Sequence, residues 1–89
     1  MNIQKLFDLL RPTQFQYFEG NFFNQNIESS DESSIQIFFS TIRGGKGDSI
    51  SIESCENNLF DLTIYNVKDG VQEFLEIPEQ KIFEKLNQL

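Results

Sequence analysis

Residues 34–54 read SIQIFFSTIRGGKGDSISIES. Ile35, Ile37 and Phe39 alternate with Ser34, Gln36, Phe38 and Ser40, and Ile50 and Ile52 alternate with Ser49, Ser51 and Glu53. Alternation with a period of two marks a strand with one dry and one wet face. The glycine-rich stretch Gly44-Gly45-Lys46-Gly47 joins the two strands. A four-residue turn places Arg43 opposite Asp48, closed by a weak ion pair. This turn has neither the G-x-x-x-x-G-K-[ST] spacing nor the following helix that a phosphate-binding loop needs.

Outward from this hairpin, residues 59–67 (LFDLTIYNV) and 71–77 (VQEFLEI) read as a second one, joined at Asp69-Gly70. Asp-Gly favours a two-residue turn with both residues at positive φ. That turn pairs Tyr65 with Phe74, Ile64 with Leu75, Thr63 with Glu76 and Leu62 with Ile77. The hairpins join each other through a three-residue loop, Glu56 to Asn58. This loop sets Ile52 against Leu62 and Ile50 against Ile64, whereas a two-residue Asn-Asn loop mixes the faces.

Residues 2–11 (NIQKLFDLLR) place Ile3, Leu6, Phe7 and Leu10 on one helical face, and Pro12 stops the helix. Residues 14–23 (QFQYFEGNFF) read as an aromatic strand whose facing is open, with Gly20 a candidate bulge. Residues 24–34 are polar and acidic and read as a loop. Pro78 opens a last helix whose apolar face is Ile82, Phe83, Leu86 and Leu89. The expected fold is α+β: a five-stranded antiparallel meander with an N-terminal and a C-terminal helix on one face, as a single domain over residues 1–89.

Composition narrows the chemistry. The chain has 89 residues and a net charge of −7, with fourteen acids against seven bases. Such a charge repels phosphate backbones and anionic lipid, so direct nucleic-acid or membrane binding is not expected, and basic protein surfaces attract it. No apolar run reaches the ~18 residues of a membrane span, and no secretory signal pattern opens the chain. The lone Cys55 suits a reducing cytoplasm. With no histidine, the usual general base and the Ser–His and Cys–His pairs are absent. Neither an EF-hand nor a zinc pattern occurs, so no metal or cofactor is expected and the chain reads as a non-enzyme.

The sheet face turned away from the helices is the candidate site. The register above sets Ile42, Ser49, Tyr65 and Phe74 in one row, and Ser40, Ser51, Thr63 and Glu76 in the next. Phe38, Glu53 and Asp61 follow, then Gln36, Cys55 and Leu59. Glu53 and Asp61 are directly opposed, which costs about 0.2–1 kcal/mol for like charges. Nearby acids raise the Cys55 thiol and argue against a reactive thiolate. Acids beside exposed apolar side chains suit a partner that brings Arg or Lys. The contact set expected for a basic protein partner is Glu53, Asp61, Glu76, Tyr65, Phe74, Phe38 and Ile42, with Glu28, Asp31 and Glu32 as a second acidic arm. Cross-strand aromatic pairs also stabilise sheets with no partner, so the same residues admit a structural reading. Size, acidity and missing catalytic groups fit an inhibitor of a nucleic-acid-handling protein or toxin, of anti-defence, anti-CRISPR-like (phage) or immunity-protein type. The alternative is an assembly or chaperone protein, homodimeric through the first strand or an open sheet edge.

Overall fold

A computed structural model describes residues 3–23 and 34–89. The elements run α1 (Ile3–Leu10), β1 (Tyr17–Phe23), β2 (Ser34–Ser40), β3 (Ser49–Ser54), a 3-10 turn (Glu56–Asn58), β4 (Leu59–Asn66), β5 (Gly70–Pro78) and α2 (Glu79–Asn87). The five strands form one antiparallel sheet in the order β1-β2-β3-β4-β5. The α+β meander read from the sequence is therefore the fold.

Alternation decides which side the helices cover. Ile35, Ile37 and Phe39 of β2, Ile50 and Ile52 of β3, and Phe60 and Leu62 of β4 are all buried. They form one cluster with Leu6 and Leu10 of α1 and Ile82, Phe83 and Leu86 of α2. Burying each such side chain contributes roughly 1.5–3 kcal/mol, which α1, only 8 residues long, needs in order to persist. Its C-terminal end is tied by Thr13, whose hydroxyl donates to the Leu10 carbonyl (2.6 Å) and accepts from the Phe15 amide (3.2 Å). This local clamp turns Phe15 into the core just before β1 begins.

Strand β1 differs from expectation. It pairs with β2 in unbroken register from Tyr17↔Ser40 to Phe23↔Ser34, so Gly20 makes no bulge. Gly20 answers a different need. A Cβ there would lie 2.8 Å from the Phe18 ring, which folds along the strand over the glycine. Phe18 in turn meets Phe7 edge-on (centroids 4.8 Å apart) and Phe39 (5.4 Å). An aromatic ring laid over a glycine in an edge strand supplies the packing that the missing side chain cannot.

The β3–β4 register is as expected: Ile50↔Ile64, Ile52↔Leu62 and Glu53↔Asp61, turned through Glu56–Asn58. The other two hairpins are corrected. In β2–β3, Ser40 pairs with Ser49 and Gln36 with Glu53, two residues from the expected register. Strand β2 ends at Ser40, and residues 41–48 form a longer loop closed by Thr41 N–H donating to the Asp48 carbonyl (3.0 Å). A shift of two preserves the faces. Asp48 does not serve the Arg43 closure expected of it. Its carboxylate accepts from the Val67 amide (3.0 Å) and lies 3.4 Å from the Asn66 side-chain amide.

In β4–β5 the shift is odd, and it moves side chains across the sheet. Tyr65 pairs with Val71, Thr63 with Glu73 and Leu62 with Phe74. The Asn66 carboxamide accepts from the Lys68 (2.8 Å) and Asp69 (3.0 Å) amides, and Gly70 closes the loop at φ +89°. That side-chain-capped turn stands in place of the two-residue Asp-Gly turn: Asn66 satisfies two amides, and the register it sets brings Phe74 onto the core. Phe74 thus lies on the helix side, packed against the core with Lys85 of α2 4.7 Å over its ring.

Candidate functional site

No helix or strand among the described residues covers the sheet face opposite the helices, and the loop 41–48 folds over one end of it. Its rows follow from the observed register and from alternation. The first row across the strands is Tyr17, Ser40, Ser49, Tyr65 and Val71. The second is Glu19, Phe38, Ser51, Thr63 and Glu73. The third is Gln36, Glu53 and Asp61, facing the irregular pair Leu75–Glu76.

The loop 41–48 bends back over the first row. Ser40 is only 1% exposed, and its hydroxyl donates to the Ile42 carbonyl (2.8 Å) and accepts from the Ile42 amide (3.1 Å). The Gly45 backbone lies against the Phe38 ring, where a Cβ would be 3.2 Å away. Ile42, expected in the strand row beside Ser49, instead stands in this loop with its side chain half in solvent. Tyr17, Glu19, Phe38, Ile42 and Arg43 line a cavity of about 340 Å³ between loop and sheet.

The third row is built by a bulge. Phe60↔Ile77 and Leu62↔Phe74 leave Leu75 and Glu76 together opposite Asp61. Phe74 and Ile77 are three positions apart, an odd spacing, so both reach the core only because the strand holds an extra residue between them. Glu76 takes that strain at φ +52°, and its amide donates to Asp61 Oδ1 (2.9 Å). Leu75, expected to face inward, is 61% exposed on the outer side. Burial raises the Cys55 thiol, a hydrogen bond with Asp61 adds to the effect, and the charges of Asp61, Glu76 and Glu53 push the same way. The carboxylates of Glu53, Asp61 and Glu76 therefore converge at this end of the face.

Of the expected contact residues, Glu53, Asp61 and Glu76 come together, although Glu76 arrives beside Asp61 and not opposite Thr63. Tyr65 is on the outer face and 39% exposed, while Phe38 faces Ser51 in place of Glu53. Phe74 is removed from the set, because the odd register shift buries it against the helices. Glu28, Asp31 and Glu32 lie outside the described residues. Sequence reading missed Tyr17, Glu19, Glu73, Val71 and Leu75. Parity along β1 would have found the first two, and the others needed the β4–β5 register.

The distribution of charge sets this face apart. None of the seven basic residues lies in a strand. Among the described residues five acids do, Glu19, Glu53, Asp61, Glu73 and Glu76, all on the outer side, where Arg43 of the loop 41–48 also lines the cavity over the first row. Bases on the helix side are engaged locally. Lys5 sits 4.6 Å over the Phe83 ring and Lys85 over Phe74, while Arg11 pairs with Asp8 (3.5 Å) and Lys81 with Glu84 (3.2 Å). Among the described residues no group of three or more Cys, Asp and Glu is arranged to hold a metal ion. No helix among them is long and apolar enough to cross a membrane. Comparison with protein-family models, with curated proteins and with solved structures found no match.

Proposed function

We propose that this protein is a non-catalytic binding module that captures a basic surface of another protein on the outer face of its sheet. One observation carries the reading: among the described residues five strand carboxylates share a face to which no strand contributes a base, against the single arginine, Arg43, that the loop 41–48 brings to its first-row end. Such a face attracts Lys and Arg over about a Debye length, roughly 8–10 Å in ordinary salt, and speeds their encounter. Tyr17, Tyr65, Val71 and Leu75 stand exposed among the acids and supply apolar area once contact is made. Packing two copies of the face together would set carboxylates against carboxylates, so a second copy is a poor occupant. The basic surface that best fits is one that otherwise meets nucleic acid. Occupying it makes the protein an inhibitor, acting in the reducing compartment that its single thiol suits.

The test is affinity capture from cells that encode the protein, with wild type and the Glu53→Lys/Asp61→Lys variant side by side. Partners held by wild type should elute as salt rises, be displaced by heparin, and be lost with the variant. Partners indifferent to salt and to the variant would overturn the reading. Recovery of the protein's own chain alone, unchanged by the substitutions, would replace it with self-assembly through the β1 edge.

A further inference from the structure

We infer that the cavity between the loop 41–48 and the sheet is a binding site for a free α-amino acid with an apolar side chain. Glu19 holds its ammonium and Arg43 its carboxylate. The site is separate from basic capture, whose opposed pair Glu53 and Asp61 lies on β3 and β4 and is not in the lining.

The cavity, about 340 Å³, falls within the size range of small-ligand sites. Its floor is the sheet, where Glu19 is paired across the strands with Phe38 and Tyr17 stands in the next row. Its roof is the loop, which carries Ile42 and Arg43. Local bonds fix that roof. The Ser40 hydroxyl holds both the amide and the carbonyl of Ile42, and the Gly45 amide donates to the same carbonyl (3.1 Å). Gly44 and Gly45 turn at φ +90° and +77°, which side chains disfavour. A Cβ on Gly45 would also stand 3.2 Å from the Phe38 ring. The two glycines thus let the loop come down onto the aromatic floor. A cavity already formed in the free protein loses less order when a ligand enters.

Charge decides what enters. Among the described residues Glu19 and Arg43 are the charged side chains of the lining, and neither forms an ion pair. They come from opposite walls, the sheet and the loop. A ligand that is only a cation is repelled by Arg43, and one that is only an anion is repelled by Glu19. A ligand carrying both charges satisfies both walls. In an α-amino acid the two groups diverge from one carbon, so the ammonium turns to β1 while the carboxylate turns to the guanidinium fork. The side chain then lies against Phe38, Tyr17 and Ile42, which favours an apolar one and above all an aromatic ring.

The experiment titrates L-phenylalanine, phenethylamine and 3-phenylpropionate separately into the full chain, with L-leucine beside them, and follows amide chemical shifts. The first three share a ring and differ only in which charges they carry. Phenylalanine should bind at least about threefold tighter than either single-charge analogue, with shifts centred on β1 and the loop 41–48. Glu19→Gln should remove its advantage over 3-phenylpropionate, and Arg43→Gln its advantage over phenethylamine. Both side chains are exposed, so both variants should fold. The Glu53→Gln/Asp61→Asn variant should bind phenylalanine as wild type does. Equal binding of phenylalanine and phenethylamine, indifferent to Arg43→Gln, would overturn the amino-acid assignment. Loss of binding in the Glu53→Gln/Asp61→Asn variant would overturn the location, and no shift with any of the four ligands would overturn the site. Basic capture is untouched by these outcomes, because its own test is read from partners lost with Glu53→Lys/Asp61→Lys.

Discussion

Replacing Phe74 with alanine separates the observed β4–β5 register from the one that an Asp-Gly turn implies. In the structure Phe74 pairs with Leu62, packs on the core and lies under Lys85. Truncating a fully buried phenylalanine costs about 3–5 kcal/mol, and Phe74 is half-buried. About half of that, with roughly 0.5–1 kcal/mol for the lost cation–π contact, gives about 2–3 kcal/mol. A chain of 89 residues has a total stability on the order of 4–13 kcal/mol, so the variant still folds but stands out. Urea unfolding at 25 °C should show a midpoint lowered by about 2 M with an unchanged slope. Tyr65→Ser is the control. It removes an exposed side chain paired with Val71, and should cost under about 1 kcal/mol. A double-mutant cycle with Lys85→Gln isolates the cation–π contact, because the lysine substitution also changes the charge at the helix end. If Phe74→Ala falls within about 0.5 kcal/mol of wild type while Tyr65→Ser costs more, the register is wrong and Phe74 belongs on the outer face.

Two further outcomes probe other parts of the molecule. Gly20→Ala should destabilise by about 1 kcal/mol, since the new methyl displaces the Phe18 ring from Phe7 and Phe39 and this outweighs the gain in chain stiffness; a more stable variant in thermal melts would show that the ring is free to move. Iodoacetamide should label Cys55 slowly near neutral pH, its rate still climbing at pH values where an ordinary exposed thiol has levelled off. The raised thiol keeps less thiolate at any given pH, so the Glu53→Gln/Asp61→Asn variant should label faster, and an unchanged rate would remove the acids from its surroundings.

How much of the candidate site could be read from the chain depends on parity. Glu53 and Asp61 were legible as neighbours because only a three-residue turn sets Ile50 and Ile52 against Ile64 and Leu62. An error of two residues in β2–β3 moved Phe38 and Ile42 along the sheet and left Phe38 on its own side. Between β4 and β5 the error was odd, so Phe74 and Leu75 exchanged faces. The tell-tale was present in the sequence as Asn66, four residues before Gly70, but a side-chain-capped turn and an Asp-Gly turn compete closely on local grounds alone.

Local chemistry along the chain was enough to determine the element order, the meander, the two amphipathic helices and the acidic balance. Alternation and helical periodicity are properties of neighbouring residues and need no knowledge of distant ones. Only the tertiary structure decided which of Phe74 and Leu75 went inside. Burying Phe74 together with Ile77 requires the bulge at Leu75–Glu76, and what offsets its strain is far away in sequence: Leu62 across the strand, Lys85 on α2 and the Asp61 carboxylate that holds the Glu76 amide. The same choice carried Glu76 to Asp61 and Cys55, and so set the acidic end of the outer face. A two-residue period cannot foresee an inserted residue, because the energy that favours the insertion comes from contacts that exist only after the sheet and helix have met.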